Sequence, residues 1–176
     1  MKEINQELLM NPTSRFKLFQ PTEEKIKKIA ATLMNNYLYV SDEFRQWDVV
    51  YGIINRYFMG QGINLIYEID DFQGAIGFCD IIPGWRCFVM LKMWAIDDKP
   101  EDWKKIYNKT FVREGRVLLD IIANEFGIKR FATETADPKI SKIAQMFGFK
   151  EEGTQPLGFQ WNNEFYDNIL LSRTEV

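Results

Sequence analysis

The amino-acid sequence predicts an α+β protein with a single mixed, mostly antiparallel sheet flanked by helices. Three observations support this class. In several stretches apolar residues recur at three- and four-residue spacing, which is typical of amphipathic helices. Other stretches alternate polar with apolar residues, or form short apolar runs between turn residues, as β-strands do. The order of these stretches fits one sheet with a single crossover connection between two of its strands.

The first half of the chain predicts a strand, two helices and a three-stranded meander. Residues 1–13 are expected to form a loose N-terminal extension, and the domain itself to span residues 14–176. Thr22 is a suitable N-cap because acidic residues follow it in the first turn of a helix. The expected elements are a strand at 15–19, helices at 22–33 and 41–58, and meander strands at 64–69, 75–82 and 87–96.

The second half of the chain predicts two helices and three strands. Asp98 is a candidate N-cap for a helix that continues from Pro100, past an interruption at Gly115, to Gly127. Asp137 is a candidate cap for a shorter helix. The strand between these helices should run parallel to the last meander strand, because a right-handed crossover connects the two. The expected strands lie at 130–135, 149–152 and 164–173.

The charge and the absence of histidine exclude several classes of function. The chain carries 22 Lys and Arg against 25 Asp and Glu, a formal charge of -3, so we expect no nucleic-acid partner. With no histidine, a Ser-His-Asp triad and a His-ligated metal site are impossible. Cys79 and Cys87 cannot form a four-thiolate zinc site, so no metal site is expected. We interpret them as reduced core thiols, with a disulfide as the alternative.

The sequence predicts a cytoplasmic protein without a membrane partner. No apolar run approaches the roughly 20 residues that a membrane-spanning helix needs. Residues 1–10 mix acids and amides and have no long apolar centre, which does not fit a secretory signal.

Two segments near the end of the chain resemble motifs of the GNAT acyltransferases. Residues 137–153, DPKISKIAQMFGFKEEG, are similar to the family's Asn-x-x-(Ser/Ala)-x-x-(Leu/Val)-x-Glu-Lys-x-Gly-Phe-x-x-Glu-Gly segment. Residues 162–172, NNEFYDNILLS, resemble its Asn-Gly-x-Tyr-x-Asp-x-x-x-x-Ser ending. The resemblance is to the branch of Rim-type ribosomal-protein and small-amine N-acetyltransferases. It implies a GNAT-like fold in which two parallel strands splay apart, and an acetyltransferase that moves an acetyl group from acetyl-CoA to a primary amine.

The resemblance also implies where acetyl-CoA, the expected co-substrate, binds. Its pantetheine arm is expected at the backbone of the buried strand, at Met93, Trp94, Ala95 and Ile96. The family's phosphate-binding turn, (Gln/Arg)-x-x-Gly-x-(Gly/Ala), keeps only one glycine in its best register here. That register implies contacts from Arg113, Glu114, Gly115 and Arg116, and Asp137 occupies the family's Asn position. The alternative is that Gly115 is a packing gap in a long helix and that the two arginines are solvated helix charges.

The catalytic candidates are carboxylates and a tyrosine. Because the chain lacks histidine, a carboxylate must take the proton from the amine, and Glu134 is the first candidate, since the resemblance places its strand at the cleft. Asp97 is a second candidate base and Tyr166 a candidate hydroxyl donor. The structural alternatives are a sheet-edge or capping carboxylate at Glu134, a helix cap at Asp97 and a core side chain at Tyr166. No Lys or Arg lies between residues 57 and 85, so a negative field that attracts a cationic amine is expected from Glu68, Asp70, Asp71 and Asp80.

The acceptor is expected to be either an amine-bearing small molecule or a protein N-terminus. The alternative function is a non-catalytic GNAT-like binding or assembly protein, of the kind found among the structural genes of tailed phages, and thus phage-encoded and virion-associated. The sequence leaves open whether the chain forms a homodimer or binds an assembly partner. Residues 98–116 distinguish the two functions, because an unbroken helix there closes the phosphate site, and a loop with free N–H groups keeps it open.

Overall fold

The computed structural model describes residues 4–35, 41–59, 62–92 and 103–175. Its strands are β1 Phe16–Leu18, β2 Ile63–Ile69, β3 Gly74–Ile82, β4 Arg86–Lys92, β5 Arg130–Thr135, β6 Lys150–Trp161 and β7 Glu164–Thr174. Its α-helices are α1 Gln6–Met10, α2 Glu23–Asn35, α3 Trp47–Met59, α4 Trp103–Ile106, α5 Lys109–Phe126 and α6 Pro138–Met146, with a 3-10 turn at Asp42–Phe44. Within these ranges no helix is both long and apolar enough to cross a bilayer.

The described strands form one seven-stranded sheet in the order β1-β2-β3-β4-β5-β7-β6. All neighbours pair antiparallel except β4 and β5, which are parallel. The predicted class, α+β with a single mixed sheet, is therefore confirmed, and so is the meander of β2, β3 and β4. Thr22 accepts the Lys25 N–H at 3.2 Å, as a helix cap does.

The parallel pair diverges after a short paired stretch. Only residues 86–88 of β4 pair with residues 130–132 of β5. Beyond them β5 continues to Thr135 and stays paired with β7 on its other side. The strands thus splay apart at their carboxyl ends, as the resemblance implies. The crossover helix α5 ends at the opposite edge, where the Gly84 N–H donates to the Phe126 carbonyl at 2.8 Å.

One face of the sheet packs against α5 and α6 and holds the main core. Side chains from β3 and β5, such as Phe78 and Phe131, meet Leu118 of α5 and Ile143 of α6 there. Helices α2 and α3 pack chiefly on each other, in a smaller cluster of Ile26, Ala30, Val50 and Ile54. The opposite face of the sheet carries Glu68, which forms a 2.6 Å ion pair with Lys25 of α2.

Three regions differ from or refine the expectations. The stretch expected to be a loose extension contains α1, whose Leu9 is buried in the main core. The strand expected to end at residue 152 continues to Trp161, with a bulge between Gln155 and Phe159, which an edge strand tolerates. Both cysteines are buried and free. Since Cys79 pairs with Phe88, it faces the other side of the sheet from Cys87, which agrees with reduced thiols.

Helices α5 and α6 approach each other closely at one glycine. Gly115 is buried inside α5, and a Cβ added there would lie 2.6 Å from the Phe147 ring that follows α6. Phe147 also contacts Phe111, with ring centroids 5.3 Å apart. The absence of a side chain at Gly115 therefore sets the spacing of the two helices, which is the packing-gap interpretation.

Replacing this glycine should destabilise the fold. We expect Gly115→Ala to lower the free energy of unfolding in urea by about 1–3 kcal/mol, because the new methyl group overlaps the Phe147 ring. The matched control is Gly52→Ala in α3, where an added Cβ meets nothing within 4 Å. That variant should gain up to about 1 kcal/mol from helix propensity. Equal stability changes in the two variants would contradict the packing interpretation.

Candidate active site

Two helices begin where β4 and β5 diverge. Helix α6 follows β5 directly, and the Asp137 carboxylate caps it by accepting the Lys139 N–H at 2.8 Å, as predicted. Helix α5 runs antiparallel to β4, so its first turn lies toward the same edge, and Asn108 caps it by accepting the Phe111 N–H at 3.0 Å. The first N–H groups of a helix have no partner within it and carry partial positive charge. This edge of the sheet therefore favours an anion.

A pocket of about 510 Å³ lies along the first turns of α5 and reaches the end of α6. It combines cationic and apolar side chains, which suits a ligand with phosphates and an apolar or aromatic part. The lining residues are Tyr107, Asn108, Lys109, Val112, Arg113, Arg116, Val117 and Met146.

The structure brings Arg113 and Arg116 to this pocket but does not form the expected turn around them. Residues 113–116 lie inside α5, where backbone N–H groups are taken up by the helix itself. The Arg113 side chain is 73% exposed, and the Arg116 Nε donates to the Met146 carbonyl at 2.9 Å. Helical structure at residues 113–116 matches the alternative in which Gly115 is a packing gap inside a helix. The helix also does not run unbroken from Pro100, because Asn108 starts a new helix after α4.

The start of α5 has a recognisable signal in the sequence. Asparagine is a favoured N-cap residue, and Asn108 stands directly before the apolar spacing that begins at Phe111. That signal could have placed the helix start at residue 109. The expectation of one helix from Pro100, interrupted only at Gly115, overlooked this cap.

Glu114 points away from the pocket and anchors the segment before β1. Its carboxylate accepts the Ser14 hydroxyl at 2.8 Å and the Arg15 N–H at 2.9 Å. Partial burial raises the pKa of Glu114, but the hydrogen bonds from Ser14, Arg15 and Thr13 outweigh burial and leave the pKa below its ordinary value of 4.5. Glu114 therefore attaches the segment before β1 to helix α5.

Arg15 is a site-forming residue that the sequence did not single out. Its Nε donates to Asp70 at 2.7 Å, and its Nη1 donates to the Ile106 carbonyl at 3.0 Å and to Asn108 at 3.3 Å. The guanidinium also lies over the Phe111 ring, 5.1 Å from its centroid. It therefore joins the end of β2, the end of α4 and the cap of α5, which fixes where the pocket-forming helix begins.

The expectation of a negative field around β2 is wrong, because three of the four acids lie next to cations. Glu68 pairs with Lys25 at 2.6 Å, Asp70 pairs with Arg15, and Asp71 lies 3.7 Å from Lys17. Two of these cations flank β1 or lie in it, and β1 pairs antiparallel with β2. Asp80, the fourth acid, is exposed, and its backbone N–H donates to Asn64 at 2.9 Å.

Glu134 and Tyr166, two of the three catalytic candidates, occupy different parts of the sheet. Glu134 is exposed on β5, on the face opposite Phe131, directly beside Leu170 of β7. Tyr166 shares that face but lies four residues along β7 from Leu170, roughly 13 Å away. Its hydroxyl donates to Glu164 at 2.7 Å. The structure therefore does not bring Tyr166 to Glu134. Asp97 and the expected backbone contacts at 93–96 lie outside the described residues.

Comparison with known proteins identifies the fold. No protein-family model matches the sequence, and no curated protein matches it. The structure is similar to RimL, a ribosomal alpha-N-protein acetyltransferase in complex with coenzyme A, with a TM-score of 0.65, 14% identity, and coverage of 94% of this chain and 97% of that one. It is also similar to spermidine N-acetyltransferase from Vibrio cholerae in complex with CoA and spermine, with a TM-score of 0.65, 16% identity, and coverage of 92% and 96%.

A third similar structure is the microcin self-immunity acetyltransferase MccE in complex with acetyl-CoA and AMP, with a TM-score of 0.60, 15% identity, and coverage of 96% and 99%. The fold of this chain is thus that of the GNAT acetyltransferases. The resemblance to the Rim-type and small-amine branch is confirmed at the level of the fold, since these neighbours include both kinds of enzyme.

Glu114 should make stability depend on acidic pH. A carboxylate whose pKa is lowered by folding stabilises the native state above its unfolded pKa, and the effect disappears as pH falls through the folded pKa. We therefore expect Glu114→Gln to be less stable than wild type in urea at about pH 7, with the difference shrinking below about pH 4. Glu151→Gln, on the exposed edge strand β6, is the control and should show little change. A Glu114→Gln deficit that is constant with pH would contradict this role.

Proposed function

We propose that this chain is an N-acyltransferase that moves an acetyl group from acetyl-CoA to a primary amine. The observation that carries the proposal is the divergence of β4 and β5 after three paired residues. Among the described residues, the edge of β4 beyond Phe88 has no strand partner on the β5 side. An extended ligand with amide groups, such as the pantetheine arm, can pair with such an edge as an added strand does.

The pocket along α5 fits the phosphate-bearing half of the same co-substrate. Lys109, Arg113 and Arg116 place cations around it, and the N-terminus of α5 adds partial positive charge. Val112 and Met146 offer an apolar surface on which an adenine ring can lie. Pantetheine at the strands and phosphates at the helix start are two parts of one elongated ligand, and the two sites adjoin the same edge of the sheet.

The reaction requires one proton transfer by the protein. Acetyl-CoA supplies a thioester, whose C–S bond breaks as the amine nitrogen forms a C–N bond to the carbonyl carbon. Glu134 accepts the first proton from the substrate ammonium and passes it to solvent, which frees the lone pair for attack. The second amine proton goes to the departing thiolate, so the products are an amide and a free thiol. Glu134 suits this role because its exposed carboxylate lies on a strand that borders the cleft.

The alternative is a binding or assembly protein that keeps the fold without the chemistry. Helical structure at residues 113–116 favours it, because the glycine-rich turn of the family is missing there. A calorimetric titration with acetyl-CoA distinguishes the enzyme from the assembly protein. Saturable binding followed by amide formation supports the enzyme. Failure to bind acetyl-CoA would favour the assembly protein.

Arg113 should contribute to the affinity for the phosphates. We expect Arg113→Met to weaken coenzyme A binding by about 10–100-fold in calorimetry, because a charge-assisted hydrogen bond contributes about 1.5–3 kcal/mol. Binding of pantetheine, which lacks the nucleotide phosphates, should not change. Lys142→Met is the matched control, since Lys142 is exposed on α6 and does not line the pocket. Equal losses in the two variants would indicate a general charge effect.

Glu134 should determine turnover without affecting co-substrate binding. We expect Glu134→Gln to lower kcat on the order of 10²–10⁴-fold, the usual effect of losing a general base, with unchanged acetyl-CoA affinity. Tyr166→Phe is the comparison, because the Tyr166 hydroxyl already donates to Glu164 and lies far from Glu134 along the sheet. It should change kcat by much less. A Glu134→Gln variant as fast as wild type would exclude this base.

A further inference from the structure

Two exposed apolar side chains share the face of the sheet that carries Glu134, one directly beside it and one across the opening between β4 and β5. Met90 and Glu134 each lie two residues past the last paired positions, Phe88 and Ala132, so they point to the same face. On the other side, Leu170 is the direct pairing partner of Glu134. Met90 is 38% and Leu170 36% exposed, so both present apolar surface to a ligand.

The row forms a shallow trough that is open beside Leu170 and closed beside Met90, where Gly77 is buried and a Cβ added to it would lie 3.3 Å from the Cys79 Sγ. Gly77 of β3 pairs with Met90, and Gly153 of β6 pairs with Leu170. A Cβ added at Gly153 would meet nothing within 4 Å, so there is open space beside Leu170. The trough therefore offers one carboxylate, apolar surface at Leu170 beside it and at Met90 across the opening, and room for a group larger than a methyl next to Leu170.

The surroundings of the trough do not suit a molecule with several positive charges. Other carboxylates on the same sheet face already have partners: Glu68 bonds to Lys25, Glu152 to Arg130 and Ser172, and Glu164 to Tyr166. A polyamine needs a series of acids at intervals along its length. Among the described residues bordering the trough, Glu134 is the acid whose carboxylate lacks such a partner.

We propose that the acceptor is a primary amine attached to an apolar group, with the ammonium at Glu134 and the apolar group against Met90 and Leu170. This proposal rests on the proposed function and narrows its substrate class. The same chemistry is present in small arylalkylamines and in peptides whose first residue is apolar. Removal of the apolar surface from water stabilises the complex only for such acceptors, and the charge at Glu134 selects the amine.

The experiment compares acceptors in pairs that differ only in the apolar group. Initial rates with acetyl-CoA give kcat/KM for 2-phenylethylamine against ethylamine, for the peptide Leu-Gly-Gly against Gly-Gly-Gly, and for spermidine. We expect at least one apolar acceptor to exceed its small counterpart by roughly 10–100-fold, the range for added apolar groups in a pocket. The pair with the larger kcat/KM distinguishes a small amine from a protein N-terminus as the source.

Two variants test whether the trough causes this preference. Leu170→Ser should lower the apolar-to-small ratio of kcat/KM roughly tenfold, and Gly153→Val, which fills the open space, should lower it as well. Leu157→Ser is the matched control, because Leu157 is 65% exposed in the bulge of β6, four residues along the strand from Gly153. Its ratio should equal that of wild type.

The outcomes distinguish failure of the proposed acceptor class from failure of the proposed acetyltransferase function. If acetyl-CoA binds and spermidine is the best acceptor, the inference is wrong and the enzyme remains. The inference also fails if the ratio is the same in Leu170→Ser, Gly153→Val and wild type, as measured on variants with native circular dichroism spectra. If acetyl-CoA does not bind, both fail together.

Discussion

The Arg15 guanidinium is the interaction on which the candidate site depends most directly. It donates to the Asp70 carboxylate, the Ile106 carbonyl and the Asn108 amide oxygen, and it covers the Phe111 ring. The side chain is only 13% exposed, so its charge is stabilised chiefly by these partners. Because they come from separate segments, the guanidinium fixes where α4 ends and α5 begins, and thereby where the positive end of α5 lies.

Close packing carries this constraint to the second helix of the site. The Phe111 ring, which lies under Arg15, contacts Phe147, and Phe147 in turn packs on Gly115. Because Gly115 has no side chain, the Phe147 ring packs directly on the backbone of α5. This close packing determines where α6 lies against α5. The cap of α6 at Asp137 then lies at the carboxyl end of β5. One continuous chain of contacts therefore positions both helix N-termini at the edge where the strands diverge.

Under the proposed function the two faces of the sheet have separate tasks. The cations of the pocket lie along α5, on the helical face, and Glu134 lies on the opposite face. A co-substrate bound between the diverging strands would present its thioester from one side and meet the amine from the other. The sheet therefore separates the base proposed at Glu134 from the arginines of the pocket.

The sequence by itself determined the elements that depend on neighbouring residues. Periodicity predicted the meander and the crossover, Asp137 was identified as a cap, and the closing motifs predicted the GNAT fold. Only the tertiary structure decided that Lys17, Lys25 and Arg15 pair with the acids of β2 and of the turn that follows it, and that Leu170 lies beside Glu134. The physical reason is distance along the chain: helices and turns follow from local spacing and caps, whereas ion pairs and rows across a sheet join residues far apart in sequence, and only the packed fold brings them together.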